Sequence, residues 1–175
     1  MIILVCGGAS CGKSEYAERL ALDLSGAGER TYLATMESDS EAAKKRIADH
    51  ERRRAGKGFD LCEQRTDIGL LAGKTSPTVL LECLSTLVAN EMFDNGFCPD
   101  VSDKVFADIK QLADSCENII IVSNDVFSDG CLYEEMTEDY IRNLGELMQM
   151  IAQIADAVYE MRCGLSVCIK GGSGV

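Results

Sequence analysis

The chain begins with the apolar run Met1-Ile2-Ile3-Leu4-Val5 and continues, after Cys6, with Gly7-Gly8-Ala9-Ser10-Cys11-Gly12-Lys13-Ser14. The second stretch matches G-x-x-x-x-G-K-[ST] at every fixed position, and apolar residues at helical spacing follow it. Glycines let the backbone fold around an anion with its N–H groups pointing inward, and a helix N-terminus adds its positive dipole end. The sequence therefore predicts a strand, a phosphate-binding loop and a helix. The alternative is a glycine-rich turn that binds nothing.

Each part of this loop has a predicted role toward a nucleoside triphosphate. Lys13 supplies a positive charge for the β- and γ-phosphates, and the Ser14 hydroxyl can bind Mg²⁺. The candidate nucleotide contacts are Gly7, Gly8, Ala9, Ser10, Cys11, Gly12, Lys13 and Ser14.

A second acidic ligand is expected at the end of another parallel strand. The run Thr78-Val79-Leu80-Leu81-Glu82 has four strand-forming residues followed by an acid. Glu82 is thus the candidate for holding Mg²⁺ or its water. The alternative is an ordinary carboxylate at a strand end.

Apolar runs alternate along the chain with helical patterns, which is typical of a mostly parallel sheet flanked by helices in an α/β fold. We expect one domain over residues 1–170 and a flexible tail over residues 171–175. The predicted strands are 2–6, 31–34, 78–82, 119–123, 157–161 and 165–169. The predicted helices are 13–24, 40–54, 84–93, 102–116 and 138–155, with Gly26 ending the first and Ser102 capping the fourth.

Composition excludes several classes of protein. The 175 residues are 46% hydrophobic, which argues against disorder, and the net charge of −12 argues against nucleic-acid binding. No segment reaches the ~18 apolar residues of a membrane span. The nine cysteines are odd in number and form no C-x-x-C pair, so we expect a reducing cytoplasm and mostly free thiols.

The one histidine, His50, lies in a basic segment spanning residues 44–57. On a helix, Arg46, His50 and Arg54 share one face. One interpretation is a solvated, charged helix with an incidental histidine. The other is a nucleophile, because an imidazole nitrogen can attack phosphorus and neighbouring cations favour its neutral, reactive form.

Several runs together resemble the bifunctional adenosylcobinamide kinase/adenosylcobinamide-phosphate guanylyltransferase family, and they cover nearly the whole chain. The presence of R-I-x-x-H and L-L-E-C in the same chain is more specific for this family than the phosphate-loop motif is. The matching runs are residues 3–14, Tyr32-Leu33-Ala34-Thr35, Arg46-Ile47-Ala48-Asp49-His50 with Phe59 and Glu63 after it, Leu80-Leu81-Glu82-Cys83-Leu84-Ser85-Thr86-Leu87-Val88-Ala89-Asn90, Val122-Ser123-Asn124-Asp125-Val126, and Gly164-Leu165-Ser166-Val167.

The resemblance implies a RecA-like, three-layer P-loop NTPase fold and a homotrimer. It implies a cobalamin-biosynthesis enzyme that phosphorylates a corrinoid aminopropanol hydroxyl, with GTP or ATP as substrate, and then transfers GMP from GTP to that phosphate. His50 would carry the GMP. The further nucleotide contacts that the resemblance implies are Ala34, Thr35, Glu51, Arg52, Arg53, Arg54, Glu63 and Glu82.

Two other functions remain open at this point. A small-molecule P-loop kinase without guanylyl transfer usually has an arginine-rich lid, but only Arg142 and Arg162 follow Arg65. A regulatory GTPase would need D-x-x-G and N-K-x-D, and the corresponding runs begin at Glu82 and Asn124 without those patterns. The chain also departs from the family, with Phe59 in place of the usual Trp and Asp125 in place of Glu.

Overall fold

A seven-stranded sheet forms the centre of the computed structural model, which describes residues 1–36, 56–126, 131 and 133–171. The strand order is β3-β2-β4-β5-β1-β6-β7; only the edge strand β7 is antiparallel to its neighbour. The strands are β1 (Ile2–Gly7), β2 (Arg30–Ala34), β3 (Phe59–Glu63), β4 (Thr78–Glu82), β5 (Asn118–Asn124), β6 (Ala157–Arg162) and β7 (Leu165–Lys170). The helices are α1 (Lys13–Ser25), α2 (Leu84–Phe93), α3 (Ser102–Asp114) and α4 (Glu135–Ile154), with a 3₁₀ turn at Ile68–Leu71.

Two apolar cores cover the two faces of the sheet. Alternate strand residues such as Val5, Leu80 and Ile120 pack with α1 on one face. Their neighbours, such as Leu81 and Ile121, pack with α2, α3 and α4 on the other. Because the central strands are buried on both faces, their sequences are almost continuously apolar rather than alternating. The predicted mostly parallel α/β fold with three layers is confirmed.

Helix α1 illustrates how local sequence determines an element. Ala17, Leu20 and Ala21 recur at helical spacing and are buried. Gly26 follows with φ 53°, and its N–H donates to the Leu22 carbonyl oxygen at 2.9 Å, which ends the helix as predicted.

Some predicted boundaries and one cap are wrong. Strand β3 was not expected, because its short sequence contains two acids and three of its five residues are exposed. Helix α3 ends at Asp114 and α4 begins at Glu135. Ser102 is not the cap of α3 but its first residue; the Asn143 side-chain oxygen accepts bonds from the Val101 and Ser102 N–H groups at 2.8 and 3.1 Å. The predicted helix 40–54 and residues 172–175 lie outside the described residues.

Among the described residues, none of the helices has the length and apolar character that crossing a membrane requires. The nine cysteines all lie among the described residues, and each is a free thiol there.

Candidate active site

The carboxyl ends of the six parallel strands meet at one edge of the sheet. Strand pairing brings Ala34 opposite both Glu63 and Glu82, and Gly7 opposite Asn124. The predicted loop and acids, which are far apart in sequence, therefore lie along a single edge. This is where open α/β sheets bind their ligands.

The phosphate loop needs glycine at two positions. Gly7 has φ 150°, and a Cβ built there would lie 2.7 Å from the Met161 carbonyl oxygen and 2.8 Å from the Cys11 sulfur. Gly12, at φ 94°, immediately precedes α1. These glycines allow the backbone to turn from β1 into the helix, as the motif predicted.

Neighbouring strand ends hold the loop in place. The Asp125 N–H donates to the Gly7 carbonyl oxygen at 2.9 Å, and the Gly164 N–H donates to the Cys11 carbonyl oxygen at 3.1 Å. The loop is thereby fixed from β5 on one side and from the β6–β7 turn on the other.

The Lys13 side chain reaches back to the start of the phosphate loop. Its side-chain nitrogen donates to the Gly8 carbonyl oxygen at 2.9 Å, and the residue is only 8% exposed. A largely buried cation on a phosphate-binding loop is suited to binding a polyphosphate.

Ser14 and Glu82 are in direct contact. The Ser14 hydroxyl donates to Glu82 Oε1, and the Tyr32 hydroxyl donates to Oε2 at 2.7 Å. Glu82 itself is 8% exposed. The structure thus brings together the two residues that the sequence singled out as Mg²⁺ ligands. Oxygen groups of this kind suit a hard cation, so the donor set fits Mg²⁺.

Thr35 is fully buried, and its hydroxyl is used within the chain. The oxygen accepts from the Cys83 N–H at 3.0 Å and donates to the Cys83 carbonyl at 3.1 Å. The Asn90 amide donates to the Thr35 carbonyl at 2.8 Å. Thr35 therefore joins the ends of β2 and β4, and Asn90 links α2 to the end of β2. Glu63 lies exposed at the end of β3.

Two residues at this edge were given no role from the sequence. Tyr32 bonds Glu82, and the Asn124 amide donates to the Ser85 hydroxyl at 2.9 Å. Both belong to runs that resembled the family, which was the available signal. Their contacts depend on the order of the strands, which those runs do not give.

Burial affects the ionisation of two groups near the loop and α2. Burial, followed by the carboxylates of Glu160 and Asp125, raises the pKa of the Cys6 thiol, so it stays protonated at neutral pH. Burial also raises the pKa of Tyr140 to about 12; its hydroxyl donates to the Ser85 carbonyl at 3.2 Å. Neither group is set up to act as a base near neutral pH.

His50 and the residues after it, Glu51, Arg52, Arg53 and Arg54, lie outside the described residues. Their predicted role in binding and carrying the nucleotide therefore stays a prediction.

Comparison with known proteins agrees with this geometry. A model of the family described as cobinamide kinase / cobinamide phosphate guanyltransferase matches residues 3–169. The chain is 30% identical to the bifunctional adenosylcobalamin biosynthesis protein CobU of Escherichia coli, over 97% of this chain and 100% of the relative. It is also 30% identical to the bifunctional adenosylcobalamin biosynthesis protein CobP of Pseudomonas aeruginosa, over 96% of each chain.

A solved structure shows the same fold at low sequence similarity. The flagellar accessory protein FlaH from Methanocaldococcus jannaschii is 17% identical and superposes with a TM-score of 0.55, over 98% of this chain and 78% of that chain. The match to residues 3–169 and the 30% identity to full-length relatives confirm the resemblance stated from sequence. The chain belongs to the cobinamide kinase / cobinamide phosphate guanyltransferase family.

Proposed function

We propose that this chain carries out both reactions of its family in cobalamin biosynthesis. It phosphorylates the aminopropanol hydroxyl of a cobinamide with ATP or GTP, and it transfers GMP from GTP to the resulting phosphate. The observation that carries the proposal is the Ser14–Glu82 contact beside the phosphate loop, in a chain whose residues 3–169 match the family. That match favours it over a small-molecule kinase without guanylyl transfer.

The loop and Lys13 bind the triphosphate in this proposal. Backbone N–H groups of residues 7–14 face the phosphate oxygens, while Lys13 exchanges its bond to the Gly8 carbonyl for one to the β- and γ-phosphates. Lys13 thus neutralises charge that develops during phosphoryl transfer. The other nucleotide contacts we propose in the described part of the chain are Ala34, Thr35 and Glu63.

Ser14 and Glu82 would hold Mg²⁺ at this site. The bound cation would neutralise phosphate charge and favour departure of the leaving group. Glu82 accepts a hydrogen bond from the Ser14 hydroxyl, which leaves the lone pairs of the Ser14 oxygen available to the cation.

Guanylyl transfer uses His50 as the nucleophile. Its neutral ring nitrogen attacks the α-phosphorus of GTP, a nitrogen–phosphorus bond forms, and the bond to the pyrophosphate oxygen breaks. An oxygen of the corrinoid phosphate then displaces the histidine from GMP. The motivation is the position of His50 with Arg46 and Arg54 in the sequence, and Glu51 to Arg54 would contact the nucleotide.

We also infer the setting in which the enzyme works. The family resemblance implies a homotrimer, which light scattering would test directly. The net charge of −12 disfavours nucleic acid as a partner, and the nine cysteines suit a reducing cytoplasm.

The decisive experiment labels the protein with GTP. GTP labelled at the α-phosphate should mark the chain with a bond that is labile in acid and stable in base, and pyrophosphate should be released. GTP labelled at the γ-phosphate should not mark it in this way. His50→Ala should abolish the label while nucleotide binding by the loop persists.

Lys13→Ala is the complementary variant. It removes the cation and should weaken GTP binding, since a charge-assisted hydrogen bond contributes about 1.5–3 kcal/mol. Acid-labile GMP on the His50→Ala protein would refute the assignment of the nucleophile. Unchanged GTP affinity of Lys13→Ala would refute the role of the loop.

A further inference from the structure

Tyr32 is a buried tyrosine whose hydroxyl reaches the acid of the active site. It lies on β2, is only 3% exposed, and its ring packs edge-on against Phe59 with the centroids 6.1 Å apart. Its hydroxyl donates to Glu82 Oε2 at 2.7 Å. A buried tyrosine hydroxyl needs a hydrogen-bond partner, and the partner of Tyr32 is the acid of the active site.

Strand pairing explains how Tyr32 reaches Glu82. Tyr32 pairs with Leu80, two residues before Glu82, so the side chains of all three point to the same face of the sheet. Helix α1 covers this face and carries Ser14 in its first turn. The carboxylate is therefore held by β2 at one oxygen and by α1 at the other.

The two hydrogen bonds fix the orientation of the carboxylate. Tyr32 and Ser14 each donate a hydrogen bond to it, so each of its two oxygens accepts one. With Oε2 held by Tyr32, rotation of the group is restricted, and Oε1 stays directed toward Ser14 and the phosphate loop. Without the tyrosine hydroxyl, the carboxylate could turn away from Ser14.

We propose that Tyr32 is a positioning residue for the metal–nucleotide site: its hydroxyl holds Glu82 in the orientation in which Ser14 and Glu82 together bind the Mg²⁺ of the nucleotide. This rests on the proposed role of Ser14 and Glu82 as Mg²⁺ ligands. In this role Tyr32 acts through Glu82, which it bonds, rather than on the substrate.

The test is Tyr32→Phe, which removes one oxygen and keeps the ring in the core. Calorimetry measures GTP affinity with Mg²⁺ and again in EDTA. We expect the gain in affinity produced by Mg²⁺ to fall about tenfold, on the scale of one hydrogen bond to a charged group, while the affinity in EDTA is unchanged. Tyr140→Phe is the matched control, because it removes a partly buried tyrosine hydroxyl that bonds the Ser85 carbonyl oxygen and not Glu82.

Glu82→Gln separates this inference from the proposed function. If the gain from Mg²⁺ survives Glu82→Gln, the metal role of Glu82 fails and the role of Tyr32 fails with it. If Glu82→Gln reduces the gain but Tyr32→Phe does not, only the positioning role is overturned. A variant Tyr32→Phe that merely melts earlier, with the Mg²⁺ gain intact, also overturns it.

A double variant checks that the two residues act together. If Tyr32 acts through Glu82, then adding Tyr32→Phe to Glu82→Gln should cause no further loss of the Mg²⁺ gain. Losses that multiply independently would contradict the inference. Kinase rates measured against Mg²⁺ concentration should show the same pattern, with the half-saturating concentration raised in Tyr32→Phe and unchanged in Tyr140→Phe.

Discussion

Replacing Gly7 with alanine should destabilise the protein through two separable effects. The backbone at Gly7 has φ 150°, which side-chain-bearing residues rarely adopt. The new methyl group would also lie 2.7 Å from the Met161 carbonyl oxygen and 2.8 Å from the Cys11 sulfur. That carbonyl belongs to β6, which pairs with β1 along five residues, so it cannot move without disturbing the sheet.

The size of the loss follows from these two contributions. An unfavourable backbone conformation costs about 1–3 kcal/mol. Overpacking against a rigid neighbour costs about 1–3 kcal/mol more. For a domain of this length, a total of about 4 kcal/mol corresponds to a melting temperature lowered by about 8–16 °C.

Two other glycines provide matched controls. Gly73 has φ 73° with no atom within 4 Å of an added Cβ, so Gly73→Ala measures the cost of a positive φ without a steric clash. Gly8 has no positive φ and no atom within 4 Å of an added Cβ, so Gly8→Ala should leave the melting temperature nearly unchanged. Thermal unfolding of the three variants without nucleotide gives the comparison. A Gly7→Ala loss no larger than that of Gly73→Ala would refute the packing argument.

Three further predictions test other parts of the structure. Lys104 forms ion pairs with three carboxylates, those of Asp67, Glu91 and Asp108. Burial alone would lower the pKa of Lys104, but its hydrogen bonds to Asp67 and Glu91 raise it. Lys104 in turn lowers the pKa of Asp67. An acid whose pKa is lower in the folded than in the unfolded protein stabilises the fold above its unfolded pKa, and this stabilisation is lost as the pH falls. Lys104→Met should therefore lower the free energy of unfolding by about 1–2 kcal/mol at pH 7 and by less near pH 3, measured by urea unfolding. Asn143→Leu should cost about 2–4 kcal/mol in urea unfolding, because it leaves two N–H groups at the start of α3 without their acceptor. Bound GTP should slow alkylation of Cys11 in the phosphate loop but not of the exposed Cys98, and mass spectrometry that shows equal rates at Cys11 with and without GTP would contradict the loop assignment.

Much of the fold could be predicted because its signals are local. The motif at residues 7–14 requires a strand before it and a helix after it, and both are present as β1 and α1. The apolar runs of β4 and β5 predicted strands covered on both faces, and both cores confirm this. In contrast, β3 combines a short length with two acids and lies at an edge, so its sequence carries little strand signal.

The features of the active site also divide into those that the sequence predicted and those that depend on the tertiary structure. The sequence by itself determined the phosphate loop, Lys13, and the acid at the end of a buried strand, because these depend on residue type and spacing along the chain. Only the tertiary structure decided that β5 lies between β1 and β4 and that β2 lies on the far side of β4. That order brings Tyr32 and Ser14 to opposite oxygens of Glu82. Tyr32 and Ser14 are separated from Glu82 by 50 and 68 positions in the sequence. Hydrogen bonds over such separations depend on how strands and helices pack, and local patterns of hydrophobicity do not encode that packing.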